Sequence, residues 1–303
     1  MSKLNLSNNY SIQFSVYFSQ NANFTEFNNS KSWVVLSPIE KQIKEKIERI
    51  GTPLKDWDIR INYGIKTGFN DAFIIDGAKR KELIDEDPKS EEIIRPLLRG
   101  RDIKRYSYEF ADLYLLYIPW HFPLHNNPNI TGASSEADKE FENQYPAIYN
   151  HLLKYKKELS NRNKAETGIR YEWYALQRWG ANYWEDFSKQ KIMYSEIVRE
   201  PQFYLDEKGE FYPEATTFIM SGKNLEYLYN VLHTNVVTYF FKTFYAGGGL
   251  GNEGFRYKKA FLEKLPIPLN SKNIDINKDN ANDIVCKLYE LNETEIEFLE
   301  NQF

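Results

Sequence analysis

Five cations fall within eleven positions of this chain: Arg95, Arg99, Arg101, Lys104 and Arg105, in the stretch IIRPLLRGRDIKRY. Asp102 is the only acid between them, yet the formal net charge of the whole chain is -4. Guanidinium and ammonium groups bind phosphate, and arginine also pairs bidentately with guanine in the major groove. Two further segments mix cations with aromatic rings. GIRYEWYALQRWG (168–180) supplies Arg170, Tyr171, Trp173, Gln177, Arg178 and Trp179, and GFRYKK (254–259) supplies Arg256, Tyr257, Lys258 and Lys259. Lys66 and Asn70 lie in the turn GIKTGFN, and Arg199 lies in EIVREP. Asparagine and glutamine match the adenine edge, and tyrosine and tryptophan join a stacking face to a polar tip. Taken singly, each segment reads as a solvated face with local ion pairs. Three of them together, interleaved with aromatics, read as a nucleic-acid surface. Within the first, Arg99 beside Gly100 also reads as a partner for Asp102.

Other chemistry finds little support. GGGLGNEG contains Gly249, Gly251 and Gly254 with dinucleotide-fingerprint spacing, but that fingerprint needs a strand before it and a helix after it. Here a long helical pattern comes first, so the segment reads as a glycine loop that lets a backbone come close. His121 and His125 sit in a Pro- and Asn-rich stretch, and the sequence has no HExxH, no GxSxG and no GKS/GKT. Asn-Asn-Pro-Asn at 126–129 is not the Pro-Pro-aromatic pocket of an adenine methyltransferase. A nuclease of the Asp…Glu-x-Lys type stays open as an alternative.

These residues need a scaffold, and the pattern predicts a mixed one. SPIEKQIKEKIERIG reads as a helix: Ser37 and Glu40 form a capping box, Pro38 opens it, Ile39, Ile43, Ile47 and Ile50 repeat on one face, and Gly51 stops it. Two short strands joined by GIKTGFN are predicted between Asp58 and Asp76, and DLYLLYIPW reads as a buried strand. Pro146 opens a second helix, and KIMYSEIV, QFYLD and TTFIM read as strands with a DEKGEF turn. Ser221 then caps a long helix carrying Leu225, Leu228, Leu232, Val236 and Phe240. The expectation is an α+β fold: a mixed, largely antiparallel sheet with packed helices and a C-terminal helical tail. Its divisions are a lead-in over 1–35, a recognition domain over 36–270 and an acidic helical tail over 271–303. That tail carries eight acids against three bases, so the rest of the chain is close to neutral.

The 22 tyrosines and 20 phenylalanines suit either an aromatic core or a recognition face. A single cysteine, Cys286, rules out a disulfide framework within the chain. No apolar run approaches the roughly 18 residues of a membrane span, and MSKLNLSNNYSIQFSV lacks a signal-peptide core. A soluble, cytoplasmic protein is expected.

SWVVLSPIEKQIKEKIERIGTPLKDWDIRINYGIKTGFNDAFIID followed by IIRPLLRGRDIKRY resembles the TaqI-like C-terminal specificity domain. That domain is the target-recognition part of bacterial adenine-N6 DNA methyltransferases and type IIG restriction-modification enzymes. The likeness continues through WYALQ, KIMYSEIVREPQFYLDEKGEFY and FRYKKAFLEKLPIPLN, covering residues 30–270. The last segment also resembles the end of type I specificity-subunit recognition domains.

The resemblance implies an upstream catalytic domain that binds S-adenosylmethionine and flips the target adenine, while this domain reads flanking bases. Neither the cofactor glycine motif nor the Pro-Pro pocket motif occurs here, so no catalysis and no cofactor are expected in this chain. Its expected partners are double-stranded DNA and an adenine methyltransferase catalytic domain or subunit, with no membrane. The expected DNA contacts are Lys66, Asn70, Arg95, Arg99, Arg101, Lys104, Arg105, Arg170, Trp173, Arg178, Arg199, Arg256 and Lys258. The five clustered cations are expected to act as a phosphate clamp on one face. The alternatives are a standalone nuclease or nucleotide-binding enzyme, and a subunit that docks onto a catalytic partner through its aromatic face and acidic tail.

Overall fold

A computed structural model describes residues 36–246, 254–270 and 274–303 of the chain. Helix α1 (Pro38–Ile50) starts on the expected capping box: the Glu40 carboxylate accepts from the Ser37 backbone N–H at 2.7 Å, and the Ser37 hydroxyl accepts from the Glu40 N–H at 3.4 Å. Ile43 and Ile47 are buried, and Ile39 and Ile50 pack at the edge of the same core. At Gly51 the backbone turns extended and the helix ends, and glycine is needed there because a Cβ would stand 2.6 Å from the Pro266 carbonyl carbon. Thr52 then pairs with Ile267, tying the start of the domain to its end.

Two four-stranded sheets are built from β1 (Ile59–Tyr63), β2 (Ile74–Asp76), β3 (Ile94–Leu98), β4 (Leu113–Leu116), β5 (Lys191–Ser195), β6 (Phe203–Asp206), β7 (Tyr212–Pro213) and β8 (Thr217–Gly222). The first sheet runs β6-β5-β8-β1 and is antiparallel throughout. The second runs β7-β3-β4-β2, with β7 parallel to β3 and the other pairs antiparallel. The fold is therefore α+β with largely antiparallel sheets, as the sequence pattern indicated.

The first sheet is a wall between two cores. Alternate residues of a strand face opposite sides. Ile192, Tyr194, Phe203, Leu205, Phe218 and Met220 join one core, while Met193 and Ile219 join the other. The first core also holds α1, α5 (Leu225–Leu232), α6 (Asn235–Phe244), α7 (Ala281–Leu288) and α8 (Glu293–Glu300). The acidic tail thus buries Val285, Cys286, Tyr289 and Leu299 beside α1. Lys46 meets the buried Glu295 at 2.7 Å. The second core joins the second sheet to α2 (Gly77–Glu86), α3 (Ser135–Gln144) and α4 (Pro146–Leu153).

The strands β5 and β6 carry a buried ion pair at directly opposed positions. Lys191 Nζ lies 2.6 Å from Asp206 Oδ2 and donates to the Phe187 carbonyl at 2.7 Å. Asp206 also accepts from the Glu210 and Phe211 backbone N–H groups, which shapes the DEKGEF turn. Each charge is hydrogen-bonded on several sides, the condition under which a buried pair is tolerated.

Two expectations change. Ser221 does not cap a helix: it lies in β8, which is paired on both sides, and its hydroxyl donates to Asp186 at 2.8 Å. The helix begins instead after Asn224, which has φ 57°, and it breaks at Thr234 into α5 and α6. The strands on either side of GIKTGFN fall in different sheets, because a helical turn, Asn70–Phe73, buries Ala72 and Phe73 in the second core. Gly249 and Gly251 of the glycine loop, and the 1–35 lead-in, lie outside the described residues.

His233 closes α5 deep in the first core. Its Nδ1 lies 2.8 Å from the Tyr229 carbonyl, its ring stacks on Tyr106 at 3.8 Å, and its Nε2 has no partner among the described residues. Burial, aided by the nearby Arg105, pushes its pKa down to about 3. Between the ordinary histidine value and that figure the unfolded chain takes up a proton that the folded chain refuses. Stability therefore falls as pH drops through this window. Going from pH 7 to pH 5 should cost about 2 kcal/mol through this group alone. His125 and His151, whose pKa values burial also lowers, add to the loss in the parent chain, so in urea unfolding at the two pH values His233→Phe should shrink the difference by about 2 kcal/mol without abolishing it; an unchanged difference in the variant would contradict the assignment.

Candidate nucleic-acid interface

The chain crosses from the second sheet to the first through Glu214, Ala215 and Thr216, between β7 and β8. Two segments singled out by their cations close on this crossing. The Gly64 N–H donates to the Thr217 carbonyl and the Ile65 N–H to the Pro213 carbonyl, both at 2.8 Å. From the other side the Gly100 N–H donates to Thr216 Oγ1 at 3.0 Å. A Cβ on Gly64 would lie 2.0 Å from the Glu214 carbonyl oxygen, and one on Gly100 would lie 2.7 Å from that of Thr216. Both positions need glycine for close backbone approach. Thr217 is paired with Ser195, so the chain after β5, with Arg199, leaves from the same sheet end. Arg256 joins it there through its pairing with Ile197.

The five clustered cations separate into two kinds. Arg95 turns back onto the carbonyls of Glu91, Glu92 and Ile94. Arg99 grips Asp102 with two side-chain bonds of 2.8 Å each. Burial by itself raises the Asp102 pKa, but the side-chain and backbone hydrogen bonds from Arg99 together outweigh it and hold the carboxyl below its usual range. These two guanidinium groups are occupied by the fold. Lys104 and Arg105 reach the surface with partial neutralisation, 3.2 Å from Glu109 and 3.8 Å from Glu200. Arg101 is exposed and forms no hydrogen bond or ion pair among the described residues through its guanidinium.

Lys66 and Arg178 are brought opposite each other. Their backbones exchange two hydrogen bonds, of 3.0 and 2.9 Å, in an isolated antiparallel bridge. Both side chains are exposed. Asn70 is exposed too, and its Oδ1 accepts from the Thr67 hydroxyl at 2.5 Å. Arg199 and Lys258 are exposed, and Arg256 is 4.0 Å from Glu196. Arg170 pairs with Glu166 at 2.8 Å and covers the Trp120 ring. Trp173 is only 8% exposed, donates to Asp138 and packs against Tyr149 and Tyr174, so it belongs to the core.

Residues 95–267 match the sequence profile of the TaqI-like C-terminal specificity domain. The chain belongs to this family. Over 247 residues it is 25% identical to the type II methyltransferase M.MjaIV of Methanocaldococcus jannaschii, covering 80% of this chain and 76% of that protein. It is 21% identical to the type II methyltransferase M.BstVI of Geobacillus stearothermophilus, over 91% of this chain but 47% of that one. Its fold is similar to that of the type IIL restriction-modification enzyme MmeI, solved in complex with DNA, with a TM-score of 0.53 and 12% identity, covering 83% of this chain and 36% of MmeI. The chain thus spans about half of one curated relative and about a third of the solved enzyme.

In this specificity domain two fasteners escape a reading by residue type. Arg162 looks like one more surface cation, yet its guanidinium donates to the carbonyls of Thr67, Trp173 and Ala175 at 2.5, 2.7 and 2.8 Å. Burial pulls its pKa down to about 10, and no carboxylate pairs with it among the described residues. It holds the GIKTGFN turn against the WYALQ segment, and so sets the Lys66–Arg178 bridge. Glu172, in the aromatic segment, is buried and accepts from the His121 and Ser134 backbone N–H groups and contacts His121 Nδ1, which folds the 121–135 stretch onto the domain.

Both ideas about construction can be tested in urea. Gly64→Ala should cost about 3 kcal/mol by forcing the crossing strand away. Arg162→Met leaves several carbonyls unpaired and should cost about 2 kcal/mol. In that variant, amide hydrogen exchange should accelerate at Lys66 and Arg178 more than in β8; uniform acceleration would argue against a local fastener.

Proposed function

We propose that this chain recognises a short site on double-stranded DNA and carries no catalysis of its own. An adenine-N6 methyltransferase catalytic domain or partner subunit would bind S-adenosylmethionine and do the chemistry. The sequence itself holds neither the cofactor glycine motif nor the Pro-Pro pocket motif.

The observation that carries this reading is the gathering of exposed cations around one sheet end of a chain whose net charge is -4. Lys66 and Arg178 flank one side of the crossing strand, Arg101 the other, and Arg199 and Arg256 leave with the chain after β5. The net negative charge lies in the tail, with eight acids against three bases, and the rest of the chain is close to neutral. Phosphate contacts set register on the duplex and base contacts specify sequence. Membership in a specificity-domain family supports the same conclusion.

A docking role fits alongside it. Tyr108 and Phe110 are exposed and gather with Tyr114, Tyr204 and Phe211 into an aromatic cluster on the edge of the domain. Aromatic side chains of this kind are enriched where proteins meet.

Fluorescence anisotropy against a randomised duplex pool, titrated with salt and followed by sequencing of the bound fraction, tests the reading. Binding should weaken steeply with salt and enrich one motif. Replacing Arg101 and Lys104 by Ala should weaken all sequences alike and make the salt slope shallower by roughly two. Absence of binding at low salt would overturn DNA recognition by this chain and move the docking role forward.

A further inference from the structure

Among the exposed cations at this sheet end, Lys66 and Arg178 stand apart in how they are held. They are directly opposed in an antiparallel bridge and exchange both backbone hydrogen bonds, at 3.0 and 2.9 Å. Side chains at such positions leave on the same face, only a few ångströms apart. Like charges in that arrangement repel and destabilise the pair. Of the nearby surface cations, Lys104 has Glu109, Arg105 has Glu200 and Arg256 has Glu196 within reach, while Arg101 and Arg199 have no ion pair among the described residues but lack an opposed partner strand. Neither Lys66 nor Arg178 has an ion pair among the described residues. The nearest carboxylate along the crossing strand, that of Glu214, is taken by the Thr216 N–H and hydroxyl. The fold therefore presents two cations with no neutralising group, on a rigid rung, facing outward.

The backing of the rung is equally specific. Arg162 clamps the Thr67 carbonyl on one strand and the Ala175 carbonyl on the other. Gly68 turns the chain at the tip with φ 80°, and the Gln177 amide lies against it, 2.9 Å from where a Cβ would sit. Asn70 is anchored through its Oδ1 by the Thr67 hydroxyl, which leaves its amide N–H groups for an outside acceptor. A phosphate contact tolerates a mobile side chain, because any oxygen nearby will serve. Bidentate pairing with a base edge needs a donor whose origin does not move. The major groove of duplex DNA, about 12 Å wide, admits two chain segments lying side by side, as at this bridge.

We propose that the Lys66–Arg178 rung enters the major groove and reads base edges, with Arg178 pairing to the N7 and O6 acceptors of a guanine and Asn70 placed for a neighbouring base. This rests on the DNA-recognition reading above and sorts its cations: Arg101, Lys104 and Arg105 hold the backbone, while the rung specifies sequence. Guanine fits because it offers two adjacent acceptors, which relieves the repulsion between the two cations.

The test uses the 303-residue chain and the same randomised duplex pool, with the motif read at one fixed salt concentration and the affinity then titrated with salt. Arg178→Lys keeps the charge but loses the planar fork. It should retain the parent's melting temperature and salt slope, while preference for guanine at one position of the motif falls roughly 5- to 150-fold. Arg178→Gln should shift that position towards adenine. Arg101→Ala should lower affinity without altering the motif. If Arg178→Lys and Arg178→Gln select the parent's motif unchanged, Arg178 is a backbone contact and the inference falls while DNA recognition stands. If the parent chain enriches no motif, the recognition reading fails and takes this inference with it.

Discussion

The structure depends on the passage of the chain from one sheet to the other between Pro213 and Thr217. This short segment is bonded on one side by Gly64 and Ile65 and on the other by Leu98 and Gly100. The separation is small because two of those neighbours have no side chain. A methyl group at either would meet a carbonyl oxygen well inside contact distance. Because three strands of chain meet here, the loops that leave them are collected at one place. The cations carried by those loops become one surface only through this crossing.

Behind that surface the first sheet is committed on both faces. Its central strands bury every residue from Lys191 to Tyr194 and from Thr217 to Ser221. Such a strand has little freedom to shift, since a slip of one residue would exchange the contents of two cores. The polar groups inside are handled in the same spirit. Lys191 and Asp206 neutralise each other across β5 and β6, and Glu172 and Arg162 each satisfy several backbone groups. These residues use charge to fix loops, and Lys191, Asp206 and Glu172 do so where solvent cannot compete.

The electrostatic arrangement follows from this division of labour. Arg95, Arg99 and Arg162 spend their donors on backbone carbonyls or a neighbouring carboxylate. Lys66, Arg101, Arg178 and Arg199 remain exposed. A count of arginines therefore overstates the charge available to a ligand, and the net charge of the chain understates it locally. The acidic tail, meanwhile, turns an apolar stripe into the first core and leaves most of its carboxylates at the surface, although Glu295 is buried against Lys46.

Much of the local structure was legible in the residues alone. The capping box of α1, the Ile43 and Ile47 stripe, the short apolar runs of KIMYS and FYLD and the Arg99–Asp102 pair each depend on neighbours close in sequence, or on a pattern that the residues display. Ser221 misled because a good capping residue and a good strand residue look alike until both flanking strands are in place. Trp173 misled because an aromatic ring beside cations suits a surface and a core equally, and only packing against Tyr149 and Tyr174 decides between them. The family likeness and the set of basic segments were properties of the sequence. Which cations stay available, which are consumed by carbonyls, and the opposition of Lys66 to Arg178 were decided by tertiary structure. Those facts arise from contacts between residues far apart in the chain, and no local pattern encodes them.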